Sequence, residues 1–353
     1  MSRDRTDHSP RRLRRLRRPR SRGLYGRGLN GLNRFALATG AVTVLSLTAS
    51  GCVVVHGERE VVPTATRTEA ARALKDFTTA YNKADKANDR SLDADRVAGA
   101  LGDIDGAKLT AGQKNNPGGN PAYSPLTLTD AKFAIPEKAG WPRWFVADTA
   151  ANKGVAGYRW LLVFTRGSAN DVWQASYLTV LAAADVPKFQ QDKDGWAQPV
   201  TADDAALAVE PRKLSLSYTT YLQSGGETFA PGLHTSQWRT QRTQSASKPG
   251  LARQYIDEPL TSGDYAPVGL RTTNGGALVF FTTRRYEKQT AAPGTVIPAP
   301  SADVKALTTG DIKQSLTLEF VSNQAALDPG KGTADQRVAV LGRIEGLTGA
   351  KGE

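Results

Sequence analysis

The sequence predicts an α+β protein of two similar units, each a helix packed on a curved antiparallel sheet, behind a leader that we expect to be disordered. Three observations predict it. The chain starts with an arginine-rich segment and an apolar run, helical spacing of apolar residues begins near Thr66 and near Pro211, and an alternating pattern follows each helix. We expect the first unit to span residues 66–205 and the second to span residues 206–353.

Arginine dominates the start of the leader. Of the 46 Lys and Arg residues in the chain, 12 lie in the first 34 positions together with 2 of the 34 acidic residues, so these positions carry +10 of the net +12. A nucleic-acid-binding protein needs its basic charge clustered on the folded part. The rest of the chain is nearly neutral, which predicts no nucleic-acid partner.

An uncharged run, FALATGAVTVLSLTAS, fills positions 35–50. A basic segment, an apolar segment and small residues before a cleavage point are typical of a secretory signal peptide, which we place at residues 1–51. A membrane-spanning helix needs about 20 predominantly apolar residues, so an uncleaved anchor is the less favoured alternative. General secretion is the favoured export route, although two arginine pairs in the leader leave twin-arginine export open.

Positions 49–52 read Ala-Ser-Gly-Cys and contain the one cysteine of the chain. They resemble the lipobox of bacterial lipoproteins, with Ala49 at a position where Leu is commoner. The resemblance implies cleavage between Gly51 and Cys52 and a diacylglycerol on the Cys52 thiol. The membrane is then a partner through this lipid, because two or more acyl chains anchor a protein stably, and the protein is expected on the extracytoplasmic face of the cell membrane. A lone cysteine also predicts a fold without an intrachain disulfide.

Helical signals follow a tether that we place at residues 52–65. Thr66 and Glu69 have the spacing of a capping box. Apolar residues at spacings of three and four continue it, namely Ala70, Leu74, Phe77, Tyr81 and Ala84. A short helix or turn is expected at 93–101, and the Pro- and Gly-rich segment 114–125 is predicted to be a loop.

Alternation of apolar and polar residues predicts the strands. In the first unit they are expected at 126–133, 143–148, 158–165 and 172–182, before a turn at 192–195. In the second unit a helix is expected from Pro211 to a stop at Gly225, although the alternation of Leu214, Leu216 and Tyr218 also suits a strand. Later strands are expected at 268–272, 277–286, 314–322 and 337–344, and the polar segment 235–250 is ambiguous.

A helix followed by antiparallel strands resembles the cystatin-like and nuclear-transport-factor-like folds. In addition, ALKDFTTAYNKAD and the later ALGDIDGAK resemble an uncharacterised family of secreted actinomycete lipoproteins, over most of residues 66–350. That resemblance implies no known activity.

Few residues could carry catalysis or bind a metal. After the leader the histidines are His56, in the tether, and His234. A zinc site built on histidine needs three or four ligands. The Asp-Gly segments 103–106 and 192–195 lack the further oxygen ligands that calcium needs, and both are predicted to be turns. We therefore expect no metal, no cofactor and no catalytic role for His234.

Tryptophans are concentrated in the first unit and supply the candidate ligand groove, which comprises Trp141, Trp144, Trp160 and Trp173. Aromatic rings line many binding sites, but strands are also rich in aromatic residues that simply pack. Packing is the favoured interpretation.

The predicted function is a non-catalytic binding or assembly module at the cell envelope, with a glycan or a protein as its partner. The alternative is an envelope hydrolase that uses carboxylates, for which Asp203, Asp204 and Glu210 are available. Two facing carboxylates with raised pKa values in a pocket would favour the hydrolase, whereas an apolar groove would favour the binding module.

Overall fold

The computed structural model describes residues 60–353. The predicted signal peptide, its cleavage site, Cys52 and the start of the tether lie outside this range. Within it, two large, mainly antiparallel sheets, one two-stranded sheet and five α-helices confirm an α+β structure. No helix of the described range is both long enough and apolar enough to cross a membrane.

Helix α1 (Arg67–Ala87) follows the short strand β1 (Val62–Pro63) and begins at the predicted capping box. The Glu69 backbone N–H donates to Thr66 Oγ1 at 3.1 Å, and the Thr66 N–H donates to Glu69 Oε2 at 2.8 Å. The predicted apolar face is confirmed, because Ala70, Leu74, Phe77 and Ala84 are all buried.

Helix α2 (Gly99–Asn115) corrects two predictions. A short helix or turn at 93–101 is wrong, since α2 starts later and runs to the start of the loop, and residues 103–106 are helical rather than a turn. The glycines of α2 make it hard to predict from the sequence, because each Gly in a helix interior is about 1 kcal/mol less favourable than Ala. A β-carbon at Gly106 would lie 3.4 Å from Arg90 Cζ, which is ordinary van der Waals contact, so the Arg90 side chain packs directly over this glycine.

The strands of the first unit are β2 (Leu128–Ala134), β3 (Glu137–Lys138), β4 (Arg143–Ala151), β5 (Tyr158–Arg166) and β6 (Gln174–Ala182). The four longer strands form a sheet in the order β2-β4-β5-β6, and β3 pairs with β1. All four predicted strands are thereby confirmed, apart from their ends. The turn at 192–195 is confirmed as well, because the Asp192 side chain accepts from the N–H groups of Asp194 and Trp196, both at 2.9 Å.

Helix α3 (Pro211–Ser224) decides the ambiguity after Pro211 in favour of a helix. Proline at the first helical position and glycine just past the end are the preferred residues at those places. The ambiguous segment 235–250 contains the end of a π-helical turn (Leu233–Gln237), helix α4 (Trp238–Ser245) and strand β7 (Ser247–Lys248).

The second sheet is formed by β7 and six further strands, which are β8 (Leu251–Leu260), β9 (Val268–Arg271), β10 (Ala277–Ala291), β11 (Thr308–Thr309), β12 (Ser315–Asp328) and β13 (Ala339–Gly352). Its order is β11-β13-β12-β10-β8-β7, with β9 also on β10, and α5 (Ala302–Leu307) precedes β11. The sequence-based prediction omits β8 and makes β10, β12 and β13 too short. Charged side chains interrupt the alternation there, and in the fold many of them pair across strands, as Arg285 does with Glu345.

Three of the four apolar cores of the described residues show how these elements are layered. The first core joins α1 to one face of the four-stranded sheet through Phe77 and Phe164. The second fills the space between the two sheets and includes Tyr177 and Phe280. The third joins the far face of the large sheet to α3 through Tyr218 and Phe281. Each predicted unit thus contributes a helix and a sheet, while the boundary at 205/206 and the cystatin-like or nuclear-transport-factor-like plan stay predictions.

Candidate functional site

The four tryptophans of the predicted groove do not share one surface. Trp144 is buried in the core between the sheets, whereas Trp173 is buried in the core beneath α1. Trp141 and Trp173 flank the guanidinium of Arg166, at 5.3 and 4.6 Å from its central carbon. Trp160 is half-buried on β5. Trp144 and Trp173 are therefore core residues, Trp173 also holds Arg166 together with Trp141, and Trp160 takes part in neither arrangement.

The residues named for catalysis also lie apart from any shared site. His234 is in the π-helical turn, where burial and the neighbouring Arg343 lower its pKa to about 4, so it is neutral at pH 7. Glu210 accepts from Lys213 at 2.7 Å, and Asp204 pairs with Arg271. Asp203 is exposed. Among residues 60–353, no group of three or more His, Cys, Asp or Glu side chains could hold a metal ion.

A cleft of about 340 Å³ lies where α2 faces the second sheet. Its wall on the α2 side carries Asp103 and Thr110, with Arg90 beside them. The opposite side carries Arg284 of β10, Glu319 of β12 and Thr348 of β13. The side chain of Tyr265 lies between these two sides. We call this site, defined by those seven residues, the interlayer cleft.

Two glycines of α2 form part of the floor of the interlayer cleft. Gly102 and Gly106 are part of its lining and lie one helical turn apart on α2. Residues four positions apart share a helix face, so these two expose backbone rather than side chains along the cleft. The Arg90 side chain packs over Gly106. A larger residue at either glycine would fill space that a ligand could occupy.

Tyr265 and Asp103 are joined by a short hydrogen bond across the interlayer cleft. The Tyr265 hydroxyl donates to Asp103 Oδ2 at 2.7 Å. Burial, this hydrogen bond and the charge of Asp103 raise the pKa of Tyr265 to about 12. The phenol is consequently protonated at neutral pH and can act as a hydrogen-bond donor, but it is not a base.

The charges in the interlayer cleft are balanced. Arg284 Nε lies 3.0 Å from Glu319 Oε1. The lining contains two guanidinium groups, Arg90 and Arg284, and two carboxylates, Asp103 and Glu319. Because the positive and negative charges of the lining are equal in number, the cleft does not favour a strongly charged ligand of either sign. Its guanidinium groups offer donors and its carboxylates offer acceptors, and its hydroxyl oxygens can accept further hydrogen bonds because their protons are already donated within the protein.

A pair of buried carboxyl groups lies behind this cleft. Asp93 lines a recess of about 170 Å³ that shares Arg90, Asp103 and the two glycines with the cleft. Asp93 and Asp105 are only 1% and 4% exposed, and one oxygen of each is buried without a donor from any other described residue. A proton shared between the two carboxyl groups satisfies both oxygens. Burial and the proximity of the partner raise the pKa of Asp93 accordingly, and burial raises that of Asp105.

Sequence reasoning missed these residues for a physical reason. Asp103 and Asp105 were considered only as a turn or as part of a calcium loop. The other contributors to the cleft, Tyr265, Arg284 and Glu319, are more than 150 positions away along the chain. The glycine spacing of α2 is the sequence signal that could have indicated the cleft. A helix with glycine at 102 and 106 exposes its backbone on one face, where another element can pack closely.

Comparison with known proteins identifies a family and several relatives, none of whose names states an activity. Residues 61–352 match the family described as "Domain of unknown function (DUF8094)". A protein named uncharacterized lipoprotein from Streptomyces avermitilis is 71% identical over 333 residues, covering 94% of this chain and 100% of the relative. Two proteins with names of the same kind from Streptomyces coelicolor are 64% and 25% identical, covering 91% and 82% of this chain and 96% and 87% of their own lengths. No solved structure matches the chain.

Proposed function

The chain belongs to the family of the domain of unknown function DUF8094, and we propose that it is a lipid-anchored extracytoplasmic protein that binds a neutral, hydroxyl-rich ligand in the interlayer cleft. The predicted resemblance to uncharacterised actinomycete lipoproteins is confirmed by the names of its relatives. Lipid attachment, location and ligand are the parts that we propose. An envelope glycan is the ligand class that the chemistry of the cleft favours.

Two independent features support the lipid anchor. The relatives are named lipoproteins, and residues 49–52 of this chain have the lipobox pattern with the one available thiol at Cys52. A thiolate is the reactive form of cysteine, and no other side chain of the chain supplies one.

The lipid anchor can be tested by mass and by fractionation. We expect membrane-extracted protein to start at Cys52 and to carry the mass of at least a diacylglycerol there. Cys52→Ala should leave the precursor unlipidated, while Ser50→Ala, which keeps a small residue beside the cleavage site, should leave lipidation unchanged. An unmodified Cys52 thiol in protein extracted from membranes would refute the proposal.

The balanced charge of the interlayer cleft is the observation that carries the ligand proposal. Each side of the cleft carries one arginine and one carboxylate, with hydroxyls from Thr110, Tyr265 and Thr348 beside them. A sugar presents several hydroxyl groups that donate and accept at once, so it can satisfy such a lining without bringing in charge. The cleft volume of about 340 Å³ lies within the range of small-molecule sites, roughly 300–1,000 Å³.

Binding to neutral glycans tests this proposal. The detergent-solubilised full-length protein would be applied to an array of neutral oligosaccharides, and the affinity for any hit measured by calorimetry. Asp103→Ala removes an acceptor and should weaken binding by tenfold or more. Asp203→Ala, at an exposed acidic residue outside the cleft, is the matched control. Equal affinities for the two variants would show that the ligand binds elsewhere.

A carboxylate hydrolase is the second candidate, because the pair Asp93–Asp105 is the feature that the sequence-based reasoning associated with an enzyme. Asp93 reaches the recess beside the cleft, and a carboxyl group with a raised pKa can act as a general acid. The deep burial of both groups favours a structural pair over a catalytic one. Hydrolysis of glycan or ester substrates that disappears in Asp93→Asn and persists in Asp203→Asn would reverse this preference.

We further propose that each helix–sheet pair follows the cystatin-like or nuclear-transport-factor-like plan. The packing of α1 on one face of the four-stranded sheet and of α3 on one face of the large sheet supports this. An experimental structure superposed on representatives of both folds would test it, and a different strand order in the best superposition would reject it.

A further inference from the structure

A second cavity lies on the opposite outer layer of the protein, between the end of α3, helix α4 and strand β8. Its volume is about 450 Å³. We call it the arginine pocket, defined by six of its lining residues: Gln223, Arg239, Arg242, Thr243, Tyr255 and Asp257. Unlike the interlayer cleft, it is not balanced in charge.

Arg242 is held rigidly in the wall of the arginine pocket. Its two terminal nitrogens donate to the Asp257 carboxylate at 2.6 and 2.8 Å, in a bidentate pair. Its guanidinium also lies 4.9 Å from the centre of the Trp238 ring and 5.2 Å from that of Tyr255. Such packing fixes a planar cation in one orientation.

Arg239, one residue after Trp238 on α4, has no such partner. Within residues 60–353, no carboxylate lies within salt-bridge distance of Arg239 and its guanidinium donates no hydrogen bond to another side chain or carbonyl. It lies 5.4 Å from the Tyr221 ring centre and rests against Gly225, where a β-carbon would be only 2.7 Å from Nη1. The contacts with Tyr221 and Gly225 therefore hold the Arg239 side chain in place, while its N–H groups remain free to donate hydrogen bonds to a ligand.

The surroundings of Arg239 contain more positive than negative charge. Trp238 is flanked by three guanidinium groups, those of Arg242, Arg285 and Arg343, at 4.9, 5.6 and 4.5 Å from its ring centre. Five ion pairs in this cluster join four arginines to three carboxylates. The pairs are Arg242–Asp257, Arg253–Glu287, Arg285–Glu287, Arg285–Glu345 and Arg343–Glu345. Arg239 makes a fifth arginine, so the cluster carries an excess of two positive charges.

Excess charge in a partly buried cluster is unfavourable unless a counter-charge reaches it. Burial is the main cause of the low pKa of His234, and the positive charge of Arg343 lowers it further. An anion in the arginine pocket would meet the free donors of Arg239 and the hydroxyl group of Tyr255, whereas the Thr243 hydroxyl already donates to the Arg239 carbonyl at 3.2 Å. Guanidinium groups bind phosphate through two parallel hydrogen bonds.

We propose that the arginine pocket is a binding site for the phosphate group of an organic phosphate ester, with Arg239 as the residue that binds it directly and Arg242 as the residue that positions the wall. The cavity is larger than a phosphate ion requires, so part of the ester's organic moiety also fits inside. A phospholipid headgroup and a soluble sugar phosphate share this chemistry, and the experiment distinguishes them.

The test titrates detergent-solubilised full-length protein with inorganic phosphate, glycerol 3-phosphate and a short-chain phosphatidylglycerol below its micelle concentration. We expect at least one ester to bind more tightly than inorganic phosphate, and Arg239→Gln to weaken that binding by tenfold or more. Arg72→Gln, which removes an exposed arginine of α1, should bind as the wild type does. Tight binding of the phosphatidylglycerol would indicate a lipid headgroup, and binding of glycerol 3-phosphate alone would indicate a soluble ester.

Folding is controlled separately, because Arg239 also packs at the end of α3. Arg239→Lys keeps the positive charge but not the planar fork, so we expect an unchanged unfolding midpoint and intermediate affinity. The proposal is overturned if no phosphate compound binds, or if Arg239→Gln and Arg72→Gln lose affinity equally, which would indicate only general charge attraction.

Discussion

Arg242 on α4 and Asp257 on β8 form a bidentate ion pair in which the two side chains are only 7% and 3% exposed. This pair ties the fourth helix to the large sheet. Neither element was predicted from the sequence, because the segment around Arg242 is polar and β8 carries charged residues at several positions. The pair therefore provides a direct test of how this region holds together.

Asp257→Ala should destabilise the protein strongly, since it leaves the Arg242 cation buried without a partner. Breaking a buried pair in this way costs about 3–5 kcal/mol, which urea unfolding at pH 7 would measure. Asp335→Ala removes the carboxylate of the exposed pair Asp335–Arg337 and should leave the unfolding midpoint almost unchanged. Similar small effects of both substitutions would contradict the buried geometry.

The pair Asp93–Asp105 should make stability depend on pH. The raised pKa of Asp93, about 8, means that the folded protein keeps a proton which the unfolded chain releases near pH 4. The free energy of unfolding should therefore fall as pH rises from about 4 to 8. Asp105 also faces Lys108 and Asp85, whose opposite charges partly offset each other, while the charge of Asp95 adds to the raised pKa of Asp93.

Asp105→Asn tests this pH dependence. It removes one of the two charges, so the slope of unfolding free energy against pH should become shallower between pH 4 and 8, as followed by urea unfolding at pH 5, 6.5 and 8. Asp203→Asn, at an exposed carboxylate, should keep the wild-type slope. A slope that is the same in all three proteins would mean that Asp93 and Asp105 do not share a proton.

Removal of the N-terminal cap of α1 should lower the free energy of unfolding much less than Asp257→Ala does. Thr66→Ala deletes the acceptor for the Glu69 N–H, and losing such a cap typically costs about 1 kcal/mol. Thr66→Ser keeps the hydroxyl and should be nearly neutral. Thermal unfolding of the two variants would separate them, and a Thr66→Ala protein as stable as Thr66→Ser would show that the cap adds nothing.

This cap illustrates which features the sequence can predict. Thr66 and Glu69 interact over three positions, and the helix between Pro211 and Gly225 is bounded by residues with local conformational preferences, so both could be predicted. The strands of the first unit were predicted for the same reason, because an alternating pattern is local.

The candidate sites could not be predicted, because they depend on distant contacts. The interlayer cleft joins Asp103 to Tyr265 and Arg284 only after α2 packs against the second sheet. In the cluster beside the arginine pocket, Arg285 and Glu345 lie on strands, but charged residues such as these are typical of loops until their partners are known. Glycines of α2 lower its helix propensity, and their packing role shows only in the fold, as at Gly112, where a β-carbon would meet the Asn88 side chain at 2.5 Å.

A close contact between the two sheets provides the last prediction. Gly342 of β13 lies against β6, where an added β-carbon would overlap the Thr179 hydroxyl and lie 2.9 Å from Leu181 Cδ2. Thr179 and Leu181 are 0% and 2% exposed, so neither can move into solvent. A hydrogen bond fixes the same layer, since the Leu178 N–H donates to Asn323 Oδ1 at 3.0 Å.

Gly342→Ala should therefore destabilise the protein by about 1–3 kcal/mol, the usual cost of forcing extra volume into a packed core. Gly118→Ala is the matched control, because an added β-carbon there meets nothing within 4 Å, and it should be neutral or slightly stabilising, since alanine restricts the unfolded chain. Urea unfolding of both variants measures the difference. Equal stabilities would mean that the sheets are not held at this distance, and the interlayer cleft, whose opposite wall carries Thr348 on the same strand β13, would then lack a fixed shape.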